Sequence, residues 1–270
     1  MSNSPERPPW RWLRSLFRHG PPPNDSGRRS RNDLPTVQLD YPGVAVWLYA
    51  TSKIERHVRA ATCAKEPWTT RWIETELATG GVLYDIGANV GVFSLLAALL
   101  NPGATKVLAF EPGSATFARL CDNIALNGCD AAIVPIPLPL WSSNRVIHLM
   151  YRDTTPGAAR HRLRRTSTPD RARRPRRDQP VLASRLDDLI ARYKLPLPTH
   201  IKLDVDGAEL DVLTGAKHTL NEPGLRTLMV ETEPKLEIPV TQLLTDSGFG
   251  VEARYQRTAS APGYLLFRRR

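Results

Sequence analysis

The chain has 270 residues, 41% hydrophobic and 24% charged, which is the balance of a globular protein with one sizeable core. Its three cysteines, Cys63, Cys121 and Cys129, show none of the close pairing of zinc or redox motifs. No apolar run reaches the ~20 residues that span a bilayer, and the N-terminus lacks a signal-peptide core, so we expect a cytoplasmic protein.

The formal net charge of +10 is concentrated in three arginine-rich pieces. Residues 1–34 carry seven Arg against three acids, residues 151–180 carry ten Arg against three acids, and the chain ends in three arginines. The rest of the chain is therefore mildly acidic. We expect the basic charge to lie in segments outside the folded body of the protein, which argues against nucleic acid as the partner.

Residues 1–34 are rich in Pro, Ser, Asn and Arg, which predicts a disordered basic tail. Within this tail, residues 10–18 interleave aromatic and arginine side chains at roughly helical spacing. Such a segment suits peripheral contact with an anionic membrane or a partner protein. The alternative is a tail with no binding role.

Residues 35–79 are predicted to form an extension ahead of the main domain. It consists of a hairpin of residues 37–39 and 44–49 around a Pro-Gly turn, and then a helix over residues 69–78. Residues 65–68 precede that helix. They either contact a ligand or form a polar loop with one packed tryptophan.

The main domain, residues 80–270, is organised around residues 82–94, where an apolar β-forming run turns at Gly87 and continues with helical spacing. Gly87 and Gly91 flank Asn89 and lack a Cβ where the backbone must turn sharply or admit a ligand. The next apolar run ends at Glu111. Its spacing from Gly87 places Glu111 at the tip of the neighbouring strand, where it can accept both hydroxyls of a ribose.

Strands and helices alternate through the main domain, with a helix over 114–126 and strands over 132–136 and 145–151. The alternation predicts a parallel sheet with helices on both faces and ligands at the carboxyl ends of the strands. Residues 152–180 show no apolar periodicity, so we expect an Arg-rich insertion that is disordered or solvated. A contact to an anionic substrate or phosphate, or an RNA-binding arm, are the alternatives.

A second informative stretch covers residues 199–209. The strand period of two puts Lys202, Asp204 and Asp206 on one side if the strand persists that far. Ionisable groups on a predicted central strand favour a site. In the structural alternative, Asp206 is the N-cap of a helix over 211–220 and Lys202 is its ion-pair partner. Glu231 follows a strand over 225–230, and a closing antiparallel pair over 251–255 and 264–267 completes seven strands.

Three motifs together resemble the FkbM family of S-adenosylmethionine-dependent methyltransferases: residues 85–91, residues 110–112, and residues 201–209 with 213–216. The resemblance covers roughly residues 37–267 and implies an α/β, Rossmann-like class I methyltransferase fold. That fold has a seven-stranded, mostly parallel sheet with an antiparallel closing strand and helices on both faces. The commonest family pattern has glutamate at the position that Asp206 occupies here. Aspartate keeps the negative charge on a side chain that is one methylene shorter.

The resemblance implies S-adenosylmethionine (SAM) as cofactor and O-methylation of a hydroxyl on a sugar, polyketide or other small-molecule or glycan acceptor. Glu111 would bind the ribose, and acidic side chains would face the cofactor's cations. The implied cofactor-binding residues are Asp85, Gly87, Asn89, Gly91, Glu111 and Asp204. Beside the resemblance, the ionisable groups at adjacent strand tips make Lys202, Asp204, Asp206 and Glu231 our candidate catalytic residues.

For the carboxylates Asp204, Asp206 and Glu231 we favour supply of the general base over binding of a divalent cation. The alternative function is an RNA or other nucleic-acid methyltransferase whose Arg-rich segments bind phosphate and whose binding weakens steeply with salt. The chain lacks the Asn/Asp-Pro-Pro-aromatic tetrapeptide of the amino-methylating nucleic-acid enzymes. It also lacks the G-x-G-x-x-G pattern that a nicotinamide cofactor requires at this turn.

Overall fold

The computed structural model describes residues 34–159, 161–165, 177–256 and 262–270. The predicted tail up to residue 33, with the candidate membrane segment 10–18, lies outside these ranges. Two short strands come first, β1 (Thr36–Gln38) and β2 (Trp47–Tyr49), and they pair antiparallel with Thr36 opposite Tyr49. The second strand begins at Trp47 rather than at residue 44 as predicted.

The extension continues as a π-helical turn (Glu55–Arg59), α1 (Thr62–Lys65) and α2 (Pro67–Glu76). The second helix begins earlier than predicted because Pro67 occupies its first turn, where its fixed φ suits the helix and no amide donor is needed. Trp72 is buried in α2, and its indole N–H donates to the Thr227 hydroxyl at 3.0 Å. The extension is therefore packed onto the main domain.

The main sheet contains seven strands, numbered here along the chain. They are β3 (Gly81–Ile86), β4 (Thr105–Phe110), β5 (Ile133–Ile136), β9 (His200–Leu203), β10 (Thr227–Thr232), β11 (Phe249–Gln256) and β12 (Gly263–Arg269). Their order is β11–β12–β10–β9–β3–β4–β5, and β12 runs antiparallel to both of its neighbours. Pro135 lies in the edge strand β5, where a missing amide donor is tolerated. The predicted mostly parallel sheet with an antiparallel closing strand is confirmed.

Helices cover both faces of this sheet. They are α3 (Val92–Leu100), α4 (Ser114–Leu126), α5 (Leu186–Tyr193), α6 (Glu209–Thr214), α7 (Lys217–Leu220) and α8 (Pro234–Asp246). One buried apolar cluster joins α2, α3 and α4 to the sheet, and a second joins α5 to α8 to it. The predicted helix 211–220 is divided at Gly215, where an added Cβ would lie 2.1 Å from the Trp141 carbonyl oxygen. No helix in the described ranges is long and apolar enough to span a membrane.

The arginine-rich insertion contributes to a second, three-stranded antiparallel sheet. Its central strand β6 (Arg145–Tyr151) pairs with β7 (Arg162–Arg164) and β8 (Arg177–Ala183). The described part of the insertion thus contains strands, and most of its described arginines remain exposed to solvent. The outer strands satisfy their backbone groups on β6, and the apolar side chains that they pack are Leu163, Val181 and Ala183, which form no continuous periodic pattern.

Candidate active site

The chain turns sharply between β3 and α3. Gly87 has φ +82°, and an added Cβ there would lie 1.8 Å from the Asp204 carbonyl oxygen, so the turn requires glycine. Gly91 has φ +90°, and its Cβ would lie 2.5 Å from Leu120. Asn89 also has a left-handed φ of +52°, which asparagine tolerates better than most residues. The glycine turn is thus packed tightly against the end of β9.

Glu111 follows β4 and holds the glycine turn. Its Oε2 accepts the Asn89 amide N–H at 3.0 Å, and its Oε1 accepts the Gly113 amide N–H at 2.8 Å. Burial raises the pKa of Glu111 to about 7, although these two hydrogen bonds oppose the rise. Because each carboxylate oxygen can accept two hydrogen bonds, both retain capacity for a ligand hydroxyl.

Lys202 lies in a buried cluster of charges below the turn. Its Nζ is 3.4 Å from Asp85 Oδ1 and 3.6 Å from Asp204 Oδ2. Burial disfavours the ammonium, but the two carboxylates outweigh it and the pKa of Lys202 is raised. The other oxygen of Asp85 accepts the Ser94 hydroxyl at 2.6 Å. Asp85 and Lys202 therefore stabilise the turn and the β9 tip from beneath.

Asp204 and Glu231 hydrogen-bond to each other, and Glu231 also hydrogen-bonds to Tyr264. Burial and the adjacent Asp204 charge raise the pKa of Glu231. Burial would raise the pKa of Asp204 too, but the Lys202 ammonium and the Glu231 hydrogen bond lower it. These opposite directions favour Glu231 as the donor and Asp204 as the carboxylate in their hydrogen bond.

Asp206 lies on a turn rather than on a strand. Because β9 ends at Leu203 and Asp206 has φ +53°, the predicted strand alternation does not extend this far. The cap of α6 is Ala208, and Lys202 pairs with Asp85 and Asp204, so the N-cap alternative for Asp206 is wrong.

Glu209 holds this turn. It is buried and accepts the Gly207 amide at 3.0 Å and the Val205 amide at 3.3 Å. Burial raises the pKa of Glu209 to about 7. The two backbone bonds fix the turn that carries Asp206.

A cavity of about 350 Å³ opens at the carboxyl ends of β3, β4, β9 and β10. Six of the predicted site residues line it: Gly87, Asn89, Glu111, Asp204, Asp206 and Glu231. The structure brings these six together, whereas Asp85, Gly91 and Lys202 are absent from the lining. Its apolar lining includes Phe110, Leu138, Leu140, Leu149 and Leu163.

The extension and the insertion also contribute to this cavity, which the sequence patterns did not predict. Arg59 lines it, and so do Lys65 and Glu66, two residues of the loop whose ligand contact was an open alternative. Glu66 is buried, with Oε1 3.2 Å from Lys65 Nζ and Oε2 without a hydrogen-bond partner in the described chain. Tyr264 also lines the cavity, because it lies opposite Glu231 where β12 pairs with β10. No short motif signals any of these contacts.

No group of three or more His, Cys, Asp and Glu side chains in the described ranges is arranged to hold a metal ion. The cavity contains a glycine turn, a buried acid beside it, and a hydrogen-bonded pair of carboxyl groups. These groups can bind a nucleoside and exchange a proton with a second molecule.

A seven-stranded sheet with one antiparallel strand and a glycine turn facing a cavity at its carboxyl edge defines a Rossmann-like methyltransferase. The family described as Methyltransferase FkbM domain matches residues 85–245, and the chain belongs to this family. The resemblance seen in the motifs is confirmed.

Several known proteins are similar to this chain. Methyltransferase sdnD of Sordaria araneosa is 30% identical over 227 residues, covering 75% of this chain and 85% of sdnD. Hexuronic acid methyltransferase AglP of Haloferax volcanii is 25% identical over 206 residues, covering 76% of this chain and 78% of AglP. The 31-O-demethyl-FK506 methyltransferase FkbM of Streptomyces tacrolimicus is 31% identical over 176 residues, covering 58% of this chain and 66% of that enzyme.

A solved structure supports the fold. The FkbM methyltransferase of Methylobacillus flagellatus superposes with a TM-score of 0.52 at 15% identity, covering 70% of this chain. The chain spans 44% of that longer protein.

Proposed function

We propose that this protein transfers the methyl group of SAM to a hydroxyl on a small-molecule or glycan acceptor of the sugar or polyketide type. The observation that carries the proposal is the convergence of the glycine turn, Glu111 and the hydrogen-bonded Asp204–Glu231 pair on one cavity. The relatives named for a hexuronic acid and for demethyl-FK506 support an oxygen-rich acceptor of modest size.

The cavity residues fit SAM, which supplies a methyl group on a positively charged sulfur. Gly87 permits the turn that faces the ligand, and Glu111 retains acceptor capacity for the ribose hydroxyls. Asp204 and Asp206 give the acidic surroundings that favour the sulfonium and ammonium cations. Asp85 and Gly91, which we expected to bind the cofactor, act by shaping the turn.

The acceptor hydroxyl must lose its proton as its oxygen attacks the methyl carbon. Asp204 is the residue that we assign as the base, because 27% of its side chain is exposed whereas that of Lys202 is 4% exposed. Lys202 then acts as a positioning residue that keeps Asp204 ionised. Glu231 and Tyr264 orient Asp204 through their hydrogen bonds. Alignment of the two reactants supplies the rest of the rate enhancement.

The first test is calorimetry with SAM, followed by product mass after incubation with hexuronic acids, other sugars and polyketide alcohols. We expect wild type to bind SAM and methylate an oxygen of one acceptor class. Asp204→Asn should weaken SAM binding by up to about tenfold, because one of the carboxylates near its cations is lost, and should lower transfer at saturating SAM by about 100-fold or more, the scale of general-base catalysis. Absence of SAM binding would contradict the proposal.

A parallel reaction with EDTA separates the base from a metal. Transfer that survives the chelator supports Asp204 as the base. Loss with EDTA and rescue by Mg²⁺ would instead assign the strand-tip carboxylates to a divalent cation.

A further inference from the structure

The π-helical turn that carries Arg59 is anchored to the main domain. Glu55 begins this turn and is buried, and its Oε1 is 3.0 Å from Arg119 Nε on α4. Its Oε2 accepts the Ser52 amide at 2.8 Å and the Thr51 hydroxyl at 3.0 Å. π-Helical turns are rare and occur often at functional sites. The turn lies outside residues 85–245, the part that the family match covers.

The guanidinium of Arg59 is held beside the cavity by one bond. Its Nε donates to the Gly157 carbonyl at 2.7 Å, and its two terminal nitrogens have no hydrogen-bond partner among the described residues. Burial raises the pKa of Glu111, and the Arg59 charge partly opposes that rise, so this charge lies within electrostatic reach of the glycine turn. A planar fork with free donors is therefore fixed at the cavity wall.

The charges that line the cavity are mostly negative. Its carboxyl groups are Glu66, Glu111, Asp204, Asp206 and Glu231. The described Lys and Arg residues of the lining are Arg59 and Lys65, and Lys65 already pairs with Glu66 at 3.2 Å. A carboxylate entering this cavity would be repelled by Glu66, Asp204 and Asp206 and attracted by the guanidinium of Arg59.

We propose that Arg59 binds the carboxylate of the methionine part of SAM. The inference rests on the proposed use of SAM and adds a binding residue from the extension. Arginine suits this role because its fork can donate two parallel hydrogen bonds to a carboxylate. The Gly157 carbonyl holds the opposite edge of the fork in place.

The neighbouring loop connects Arg59 to the glycine turn. Gly157 receives the Arg59 bond, and the next carbonyl, that of Ala158, accepts the Asn89 side-chain amide at 2.9 Å. The extension, this loop and the glycine turn are thus joined by two hydrogen bonds beside the cavity. A carboxylate bound to Arg59 would lie near Asn89, which is where a methionine part resting on the glycine turn would extend.

The test compares SAM with decarboxylated SAM, which keeps the sulfonium and the ammonium but lacks the carboxylate. We expect Arg59→Met to weaken SAM binding by about 10- to 100-fold, the value of one or two charge-assisted hydrogen bonds. Binding of decarboxylated SAM should change by less than about twofold. Arg56→Met, in the same turn but exposed, is the matched control and should leave both affinities unchanged.

Each other result has a definite meaning. Equal weakening of both ligands, or no weakening of either, overturns the role of Arg59. If wild type binds neither ligand, the proposed use of SAM fails first. If Arg59→Met instead weakens only D-glucuronate added to protein saturated with S-adenosylhomocysteine, the carboxylate belongs to an acceptor and the inference is overturned. Arg59→Lys keeps the charge and should therefore lose less SAM affinity than Arg59→Met. If Arg59→Met does not fold, the same comparison of the two ligands is made with Arg59→Lys.

Discussion

Glu111 illustrates how one buried carboxyl can make cofactor binding depend on pH. Its pKa is raised to about 7 by burial, so it is protonated below neutral pH and ionised above. A protonated carboxyl presents an O–H and loses acceptor capacity for the two ribose hydroxyls. We therefore expect SAM affinity to increase from pH 6 to pH 8, as measured by calorimetry. Glu111→Gln should bind about tenfold more weakly and show a flat profile, and a flat wild-type profile would contradict the assignment.

Glu66 is a second residue whose environment conflicts with its charge. Its Oε2 is buried and lacks a hydrogen-bond partner in the described chain, and such an atom costs about 1–3 kcal/mol. Glu66→Met removes this oxygen and loses only an ion pair with a partly exposed lysine, so it should raise the free energy of unfolding by about 1 kcal/mol, which corresponds to a few degrees in melting temperature. Glu74→Met, at an exposed site on α2, is the control. A lower melting temperature for Glu66→Met would show that the carboxylate is structural.

At the scale of elements, the extension depends on the buried pair between Glu55 and Arg119. Removing one partner leaves an uncompensated buried charge, so Arg119→Met should lower the free energy of unfolding by about 3 kcal/mol. The double variant Glu55→Gln/Arg119→Met should recover part of this loss, because no unpaired charge is left. Denaturant unfolding of wild type, Glu55→Gln, Arg119→Met and the double variant gives the coupling energy between the two side chains. Strictly additive effects would show that the two residues do not stabilise each other.

The elements of the main sheet could be predicted because each is a buried apolar run between turn residues. The strands β7 and β8 could not, since they pair through backbone groups on exposed arginine-rich segments. The break between α6 and α7 was also hidden, because it depends on the contact of Gly215 with Trp141 from a distant part of the chain. Local patterns report burial, and these features depend on tertiary contacts.

At the scale of the whole molecule, three parts of the chain surround one cavity. The glycine turn and the strand-tip carboxylates come from the main domain, Arg59 and Glu66 from the extension, and Leu163 from the insertion. The motifs predicted the first set because a Rossmann-like sheet places its ligands at one edge. The other two sets reach the cavity through tertiary contacts of the extension and the insertion, which no short motif reports, so the sequence patterns did not predict them.

The distribution of charge over the molecule leads to a final prediction. None of the described insertion arginines lines the cavity, and Arg162 and Arg165 lie 3.4 Å from Glu233 and 3.9 Å from Asp211. An enzyme that binds nucleic acid through many phosphates would lose about 10³-fold or more in affinity between 50 and 200 mM salt. For a small-molecule acceptor we expect kcat/KM to change by less than about threefold over this range. A steep decrease, accompanied by salt-sensitive binding of a labelled RNA in anisotropy measurements, would favour the nucleic-acid alternative, because counterion release requires phosphate contacts.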